Sequence, residues 1–392
     1  SGIHREVGAC ASSIGGFAMM GRRSVSLVLA AVLTLASGGS TLFSPVVALA
    51  AGPEAPVMTA EVLASGDTSP SVEPSMTLLA VGDIMCHAAQ LKAAKTRSGY
   101  SFTAAFAPVA DTISAADLAV GNLETTLSDR RYSGYPAFKS PRQFADAIKA
   151  AGFDVLSTAN NHTLDGGARG VRFTTSYLDR IGLAHFGSNN PAPIIAERNG
   201  IKVAFASYTY ATNGIRSPFA GAVNRINLAR MRADIQAVRP SVDIVVVFVH
   251  WGSEYKTTVE SRTRAQGRYL IDSGADLVLG SHPHVVRPVE LYRGRYIVYS
   301  MGNFISGQSK RLTDLGTMVT AKVTKRAEGT SVSNLRVLPV FRDRTPGAGS
   351  ATYRTVLIDR ALSTPDRRIS RADRARMLTY RTFCKRMYPG YY

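Results

Sequence analysis

The chain has 392 residues, 45% of them hydrophobic and 8% aromatic. That is enough apolar material to bury a large core, which excludes a protein disordered in bulk. Lys and Arg outnumber Asp and Glu by 46 to 28, a net charge of +18, and such a balance favours polyanionic partners (nucleic acid, an anionic lipid surface, a wall polymer or polyglutamate) unless it serves only solubility. Three cysteines, Cys10, Cys86 and Cys384, exclude a disulfide framework.

Residues 1–50 read as upstream sequence followed by a secretory signal. Met20-Gly21-Arg22-Arg23 is a short basic start, Val25 to Leu35 an apolar stretch, and Ala48-Leu49-Ala50 a small-residue cleavage site. Gly38, Gly39, Ser40 and Pro45 interrupt the apolar part, which favours cleavage over a retained membrane anchor. Residues 1–19 then precede the start of the working protein. Without residues 1–50, which hold Arg5, Arg22, Arg23 and Glu6, the net charge is still +16. The expectation is an extracytoplasmic protein, secreted or attached to the envelope, and export makes nucleic acid the least favoured polyanion.

Residues 51–75 are rich in Pro, Ala, Ser and Glu without periodicity, the composition of a disordered linker. A folded domain is expected over 76–360. Its apolar runs at Thr77–Val81, Asp117–Val120, Asp154–Ser157, Lys202–Ser207, Asp243–Val249, Asp276–Leu279 and Tyr296–Ser300 read as strands. Pro141–Ala151, Gly167–Ile181, Leu228–Val238 and Thr258–Ser273 have helical spacing, with Pro141 suited to a first helical turn. The alternation predicts an α/β fold. Asn199-Gly200 between two apolar segments predicts a tight hairpin, so part of the sheet is antiparallel. Thr317–Val323, Ser331–Val340 and Arg354–Ile358 read as late strands. Residues 361–392 form a basic C-terminal helix or tail, with Met377, Leu378 and Phe383 on one side of a helix over Arg371–Lys385. It is either a solvated surface helix or a polymer-binding element.

Five of the seven histidines stand where apolar runs end: His87, His162, His250, His282 and His284. Strand ends are where loops gather polar groups into one pocket, so these imidazoles are expected to converge. Carboxylates and amides occupy equivalent places. Asp83 follows the first strand, with Gly82 permitting a sharp exit, Glu124 follows the second, and Asn161 the third, with Asp165 three residues beyond His162. Imidazole, carboxylate and amide oxygens are the ligand set of borderline divalent cations, and a pair of ions needs about six ligands from several loops.

The ordered set GDIM, GNLE, NNHTLDGG, HWGSEY, GSHPHV and YSMGNF, spanning about Thr77 to Phe304, resembles the CapA family of the calcineurin-like metallophosphoesterase superfamily, named for poly-γ-glutamate capsule synthesis. The resemblance implies a metallophosphoesterase-like two-layer β-sandwich flanked by helices and a centre for two divalent metal ions, for which Mn, Fe and Zn are all suitable. Asp83, Glu124, Asn161, His250, His282 and His284 are the implied ligands, with His162 the acid or oxyanion partner oriented by Asp165. The superfamily's Asp-x-His pair is absent, because Met85 stands two residues after Asp83. His87 is then a substitute ligand or a substrate contact. Lys139, in the segment Phe138-Lys139-Ser140-Pro141, is a substrate contact or a solvated lysine. Asn303 closes the pocket, Glu254 and Tyr255 support it, and Trp251 packs beneath it. The implied function is an exported metal-dependent hydrolase of the metallophosphatase type acting in capsule or poly-γ-glutamate synthesis. Its expected partners are an anionic envelope polymer or phosphorylated substrate and a membrane-bound polymer synthase. The alternative is a non-catalytic polymer-binding assembly or export factor.

Overall fold

The computed structural model describes residues 73–345, 352–364 and 366–392. The expected signal, and the linker as far as residue 72, lie outside the described residues. None of the described helices is long and apolar enough to cross a membrane.

The chain first lays down half of one sheet. β1 (Ser75–Ile84) is followed by α1 (Ala88–Ala94), the small hairpin of β2 (Lys95–Thr96) and β3 (Gly99–Tyr100), α2 (Thr103–Phe106), α3 (Ala110–Ser114) and β4 (Leu118–Leu123). A short pair, β5 (Thr126–Ser128) and β6 (Lys139–Pro141), precedes α4 (Gln143–Ala150), β7 (Val155–Ser157), α5 (Gly167–Arg180) and β8 (Ala184–Phe186). The chain then builds a second sheet from β9 (Ile194–Arg198), β10 (Ile201–Thr209), β11 (Ile244–His250), β12 (Leu277–Ser281), β13 (Val286–Tyr292) and β14 (Arg295–Met301), with α6 (Leu228–Val238) and α7 (Ser261–Asp272) between. It returns to the first sheet through β15 (Asn303–Ile305), β16 (Leu315–Arg326), β17 (Gly329–Thr345) and β18 (Thr352–Leu357), and ends in α8 (Ile358–Ser363) and α9 (Arg371–Met387).

The first sheet runs β18-β17-β16-β1-β4-β7-β8 with β15 beside the end of β1, and the second runs β13-β14-β12-β11-β10-β9. Every residue of β11 is buried, and its alternation explains the layering. Val246 and Phe248 point into the cluster between the sheets, while Val245, Val247 and Val249 face Met231, Ile235 and Leu270 of α6 and α7. β1 behaves alike: Leu78 and Ala80 enter the shared interior, and Leu79 and Val81 meet Phe106, Phe144 and Leu178 from the helices on the other face. Each such buried Val, Leu, Ile, Phe or Met side chain contributes on the order of 1.5–3 kcal/mol. The result is the expected two-layer β-sandwich flanked by helices. Asn199 and Gly200 both take positive φ, 52° and 72°, in the expected hairpin joining β9 to β10.

Some local expectations shift. Pro141 closes β6 opposite Ser128, and α4 opens only at Gln143; the pairing with β5 holds Pro141 extended. In α9, Met377 and Cys384 are fully buried in the shared interior with Tyr388, whereas Leu378 is 47% exposed, so it lies off the apolar side expected of it. Both described cysteines are free and buried.

Two constraints place the loops that matter. At Gly82, β1 changes neighbour, from β16 along Ser75–Val81 to β15 at Asp83, and a Cβ on Gly82 would lie 2.0 Å from the Gly302 carbonyl oxygen. Arg287 on β13 is fully buried. Its guanidinium donates to both Glu260 oxygens at 2.8 and 3.0 Å, to Ser253 O at 3.0 Å and to Lys256 O at 2.8 Å, pinning the 251–260 loop. Because its carboxylate is so engaged, Glu260 stands just before α7, which starts at Ser261 and not at Thr258.

Replacing Gly82 by Ala is expected to cost at least about 2 kcal/mol, because backbone must move to admit the methyl group; urea unfolding measures it. Partial burial pushes the Glu260 carboxyl up, but Arg287 and the backbone amide donors outweigh it and bring it down to about 2, from 4.5. Its contribution is therefore complete above pH 4.5 and is lost as pH falls through about 2. Glu260→Gln is expected to lower stability by about 3 kcal/mol at neutral pH, with the gap to wild type closing on acidification through that window in denaturant melts.

Candidate metal centre

β1 and β4 run parallel, as do β11 and β12, so their C-terminal ends deliver side chains to a common edge of the sandwich. Asp83 comes from β1, Asn122 and Glu124 from β4 and the residue after it, Asn160, Asn161 and His162 from the turn after β7, His250 from β11, and Ser281, His282 and His284 from β12 and its exit. All are buried. The ligand atoms of Glu124, His282 and His284 lie within 4.8 Å of one another, as do those of Asp83, Glu124 and His250. The two groups share Glu124.

Hydrogen bonds fix most members of this cluster. Asn122 Nδ2 donates to Asp83 Oδ1 at 2.9 Å, and the His282 amide donates to Asp83 Oδ2 at 3.3 Å. His284 Nδ1 donates to Asp83 Oδ2 at 3.1 Å and to Asn303 Oδ1 at 3.0 Å, which leaves its Nε2 facing Glu124 Oε1 at 3.8 Å. His250 Nε2 lies 2.9 Å from Asn161 Oδ1 and 3.5 Å from Glu124 Oε1, and its Nδ1 meets Ser281 Oγ at 2.9 Å. Tyr210 covers His282 with ring centroids 4.3 Å apart.

The atoms left over test whether a cation fits. Neither Glu124 oxygen has a hydrogen-bond partner among the described residues, and neither has His282 Nδ1. Buried polar atoms are almost always paired, and here the orphans are a carboxylate and an imidazole nitrogen of two residues in one ligand group. Burial, then the nearby Asp83 charge, pushes the Glu124 carboxyl well above its ordinary value. Asp83 is also raised by burial, but its donors, His284 first, bring it below the usual carboxylate value. Burial followed by neighbouring imidazoles holds His250 well below the usual histidine value and His282 at about 3. These histidines are neutral at physiological pH, the form that binds a metal. The donor set fits divalent cations.

The remaining predicted residues border this cluster. His162 Nδ1 donates to Asp165 Oδ2 at 2.7 Å, Asp165 also accepts from the Phe138 amide at 2.6 Å, and the His162 ring stands edge-on to Phe138 at 4.6 Å. That pairing fixes the tautomer and turns Nε2 away from Asp165. His87 packs on the same Phe138 at 4.8 Å, while its Nδ1 accepts from the Gly307 amide at 3.1 Å; it belongs to neither ligand group. Burial holds it at about 4. Lys139 opens into an adjacent cleft with Arg130, Arg131 and Arg169. Asn303 donates to Ser306, Gln308 and Thr313 while holding His284. Glu254 Oε1 is 3.9 Å from His284 Nε2, and Tyr255 lies 6.0 Å from the same ring between centroids. Trp251 is buried, donating to Tyr299 O at 3.1 Å. Three residues were not anticipated: Asn122, whose place in GNLE was the available signal, and Tyr210 and Asn213, which follow a strand ending without imidazole or carboxylate. Asn213 Oδ1 accepts from Asn161 at 3.1 Å.

Residues 77–308 match the family model of the bacterial capsule synthesis protein PGA_cap. The PGA biosynthesis protein CapA of Bacillus subtilis (strain 168) is 29% identical over 266 residues, covering 64% of this chain and 68% of its own length. The capsule biosynthesis protein CapA of Bacillus anthracis is 28% identical over 282 residues, covering 68% and 67%. A solved Staphylococcus aureus protein in complex with alpha-ketoglutarate is similar at TM-score 0.46 and 14% identity, covering 70% of this chain and 56% of that one. With its family model matched over more than half the chain, this protein belongs to the bacterial capsule synthesis protein family PGA_cap.

Proposed function

We propose that this protein is a metal-dependent hydrolase serving capsule or polyglutamate synthesis outside the membrane, acting on a phosphoryl or polyglutamyl bond. The family and the names of its relatives support the accessory role in making an anionic polymer. The observation that carries the metal-dependent reading is the buried Glu124 carboxylate, unpartnered at both oxygens among the described residues and shared by two ligand groups. That sharing supports room for two cations, for which the residues of these groups would be the ligands. Cations held there supply Lewis-acid polarisation of a phosphoryl or carbonyl oxygen and make a water acidic enough to react near neutral pH.

The chain's own residues do the rest. Asp83, Glu124, His250, His282 and His284 would hold the cations, and Asn161 would offer its amide oxygen beside His250. Asp165 accepts from His162 Nδ1, so in its protonated form the ring presents an Nε2–H that gives its proton to a leaving group or donates to a developing oxyanion, while Asp165 holds the imidazolium in place. Phe138, packed against both His162 and His87, keeps water from that side.

Mn, Fe or Zn added to the stripped full chain is expected to raise its melting temperature, and Glu124→Gln to bind at least about tenfold less metal, read by elemental analysis. Unchanged metal content in wild type and variant alike, at background level, overturns the reading. His162→Ala is expected to keep its metal and to lose about 10²–10⁴-fold in turnover on a panel of phosphomonoester, phosphodiester and γ-glutamyl substrates. Undiminished polymer production in cells carrying His162→Ala, with metal retained, assigns the protein instead to non-catalytic assembly or export.

A further inference from the structure

A cavity of about 330 Å³ opens between the turn before β16, β17 and α9, and none of its side chains takes part in the chemistry above. Lys310, Arg311, Arg342, Arg344 and Arg376 line it, against two carboxylates, Asp314 and Asp373. Both carboxylates are already engaged. Asp314 accepts from Arg376 Nη1 at 2.7 Å and from the Tyr380 hydroxyl at 2.7 Å, and Asp373 accepts from Ser370 Oγ at 2.7 Å and from Arg376.

Arg342 is left short of a counter-charge. It is only 8% exposed, its Nη2 donates to Gln308 O at 2.7 Å, and its buried Nε has no partner among the described residues. Burial pulls its pKa below the ordinary arginine value, Asp314 offsets part of that, and Arg376 and Arg344 add to it. Arg311 and Arg344 are exposed at the rim. A largely buried guanidinium on the cavity wall, with a backbone carbonyl and no carboxylate as its hydrogen-bond partner among the described residues and with further cations around it, matches a carboxylate or phosphate, whose paired oxygens suit the planar fork.

The cavity is wired to the metal centre. Gln308, which accepts from Arg342, also accepts from Asn303 Nδ2 at 2.9 Å, and Asn303 holds His284. Lys310 Nζ sits 3.7 Å over the ring of Tyr255, which packs on His284. We propose that the Arg342 cavity is an anion subsite that holds a carboxylate or phosphate group of a polyanionic substrate beside the metal centre. That the anion belongs to the substrate rests on the proposed function; the anion site itself does not.

The test is calorimetric titration of the metal-loaded and metal-stripped full chain with two probes, a γ-linked oligoglutamate and inorganic pyrophosphate, at low and raised salt. Saturable binding of at least one probe to the stripped chain, weakening with salt, is expected; oligoglutamate alone points to the polymer, pyrophosphate alone to a phosphorylated substrate, and either supports the subsite. Arg342→Gln is expected to weaken binding about tenfold or more, the scale of one charge-assisted hydrogen bond, with metal content unchanged. The exposed pair Arg311→Ala with Arg344→Ala is expected to weaken it about three- to tenfold, and decides the matter alone if Arg342→Gln does not fold. No saturable binding of either probe, or wild-type affinity in the variants, overturns the subsite. Anion binding that responds to these variants in a chain that takes up no metal supports the subsite and overturns the hydrolase reading.

Discussion

A carboxylate with no exposed surface and no hydrogen bond is among the costliest groups a folded chain can carry, and among the described residues Glu124 is such a group. The neighbouring Asp83 shows the ordinary remedy, a ring of donors that keeps its charge affordable. Two carboxylates side by side with opposite pKa displacements, one lowered by donors and one raised by burial, make a site that either keeps a proton or takes a cation in its place. The imidazoles of His250 and His282 are pushed toward the neutral form by the same burial, so they offer lone pairs more readily than counter-charge.

Holding such a group in place requires strain elsewhere. His282 and His284 have φ of 95° and 58°, values that cost side-chain-bearing residues on the order of 1–3 kcal/mol each. The tripeptide between β12 and β13 stays in that shape because Asp83 accepts the His282 amide and because Val286 and Arg287, just beyond it, are locked into the interior. Arg287 also fastens the loop carrying Glu254 and Tyr255, so one buried guanidinium positions groups on two sides of the centre. Gly82 serves at the other end, letting β1 change neighbour just before its carboxylate.

Much of this was legible in the residues. Uninterrupted apolar runs such as Ile244–Val249 announce strands covered on both faces, and a histidine or carboxylate at the end of several such runs announces convergence whatever the loops do. What could not be read is set by register between distant strands. Asn122 meets Asp83 because β1 and β4 pair at those two positions, and nothing local to GNLE encodes that. Pro141 has the local chemistry of a helix start, yet pairing with β5 holds it extended. Tyr210 and Asn213 reach the centre from a loop whose own composition carries no ligand signal. The basic C-terminal helix was visible as charge, but not that Arg376 and Tyr380 would occupy the carboxylate beside Arg342.

The path of the chain has a consequence for how the centre comes into being. Asp83 and His284 touch across 201 residues of sequence, and between them the chain starts one sheet and completes most of the other. No segment short enough to fold early contains a full ligand set, so a nascent or half-folded chain has nowhere to hold a cation tightly. Any cation bound by these groups would therefore be a record of completed assembly, because its ligands meet only when both sheets are in register.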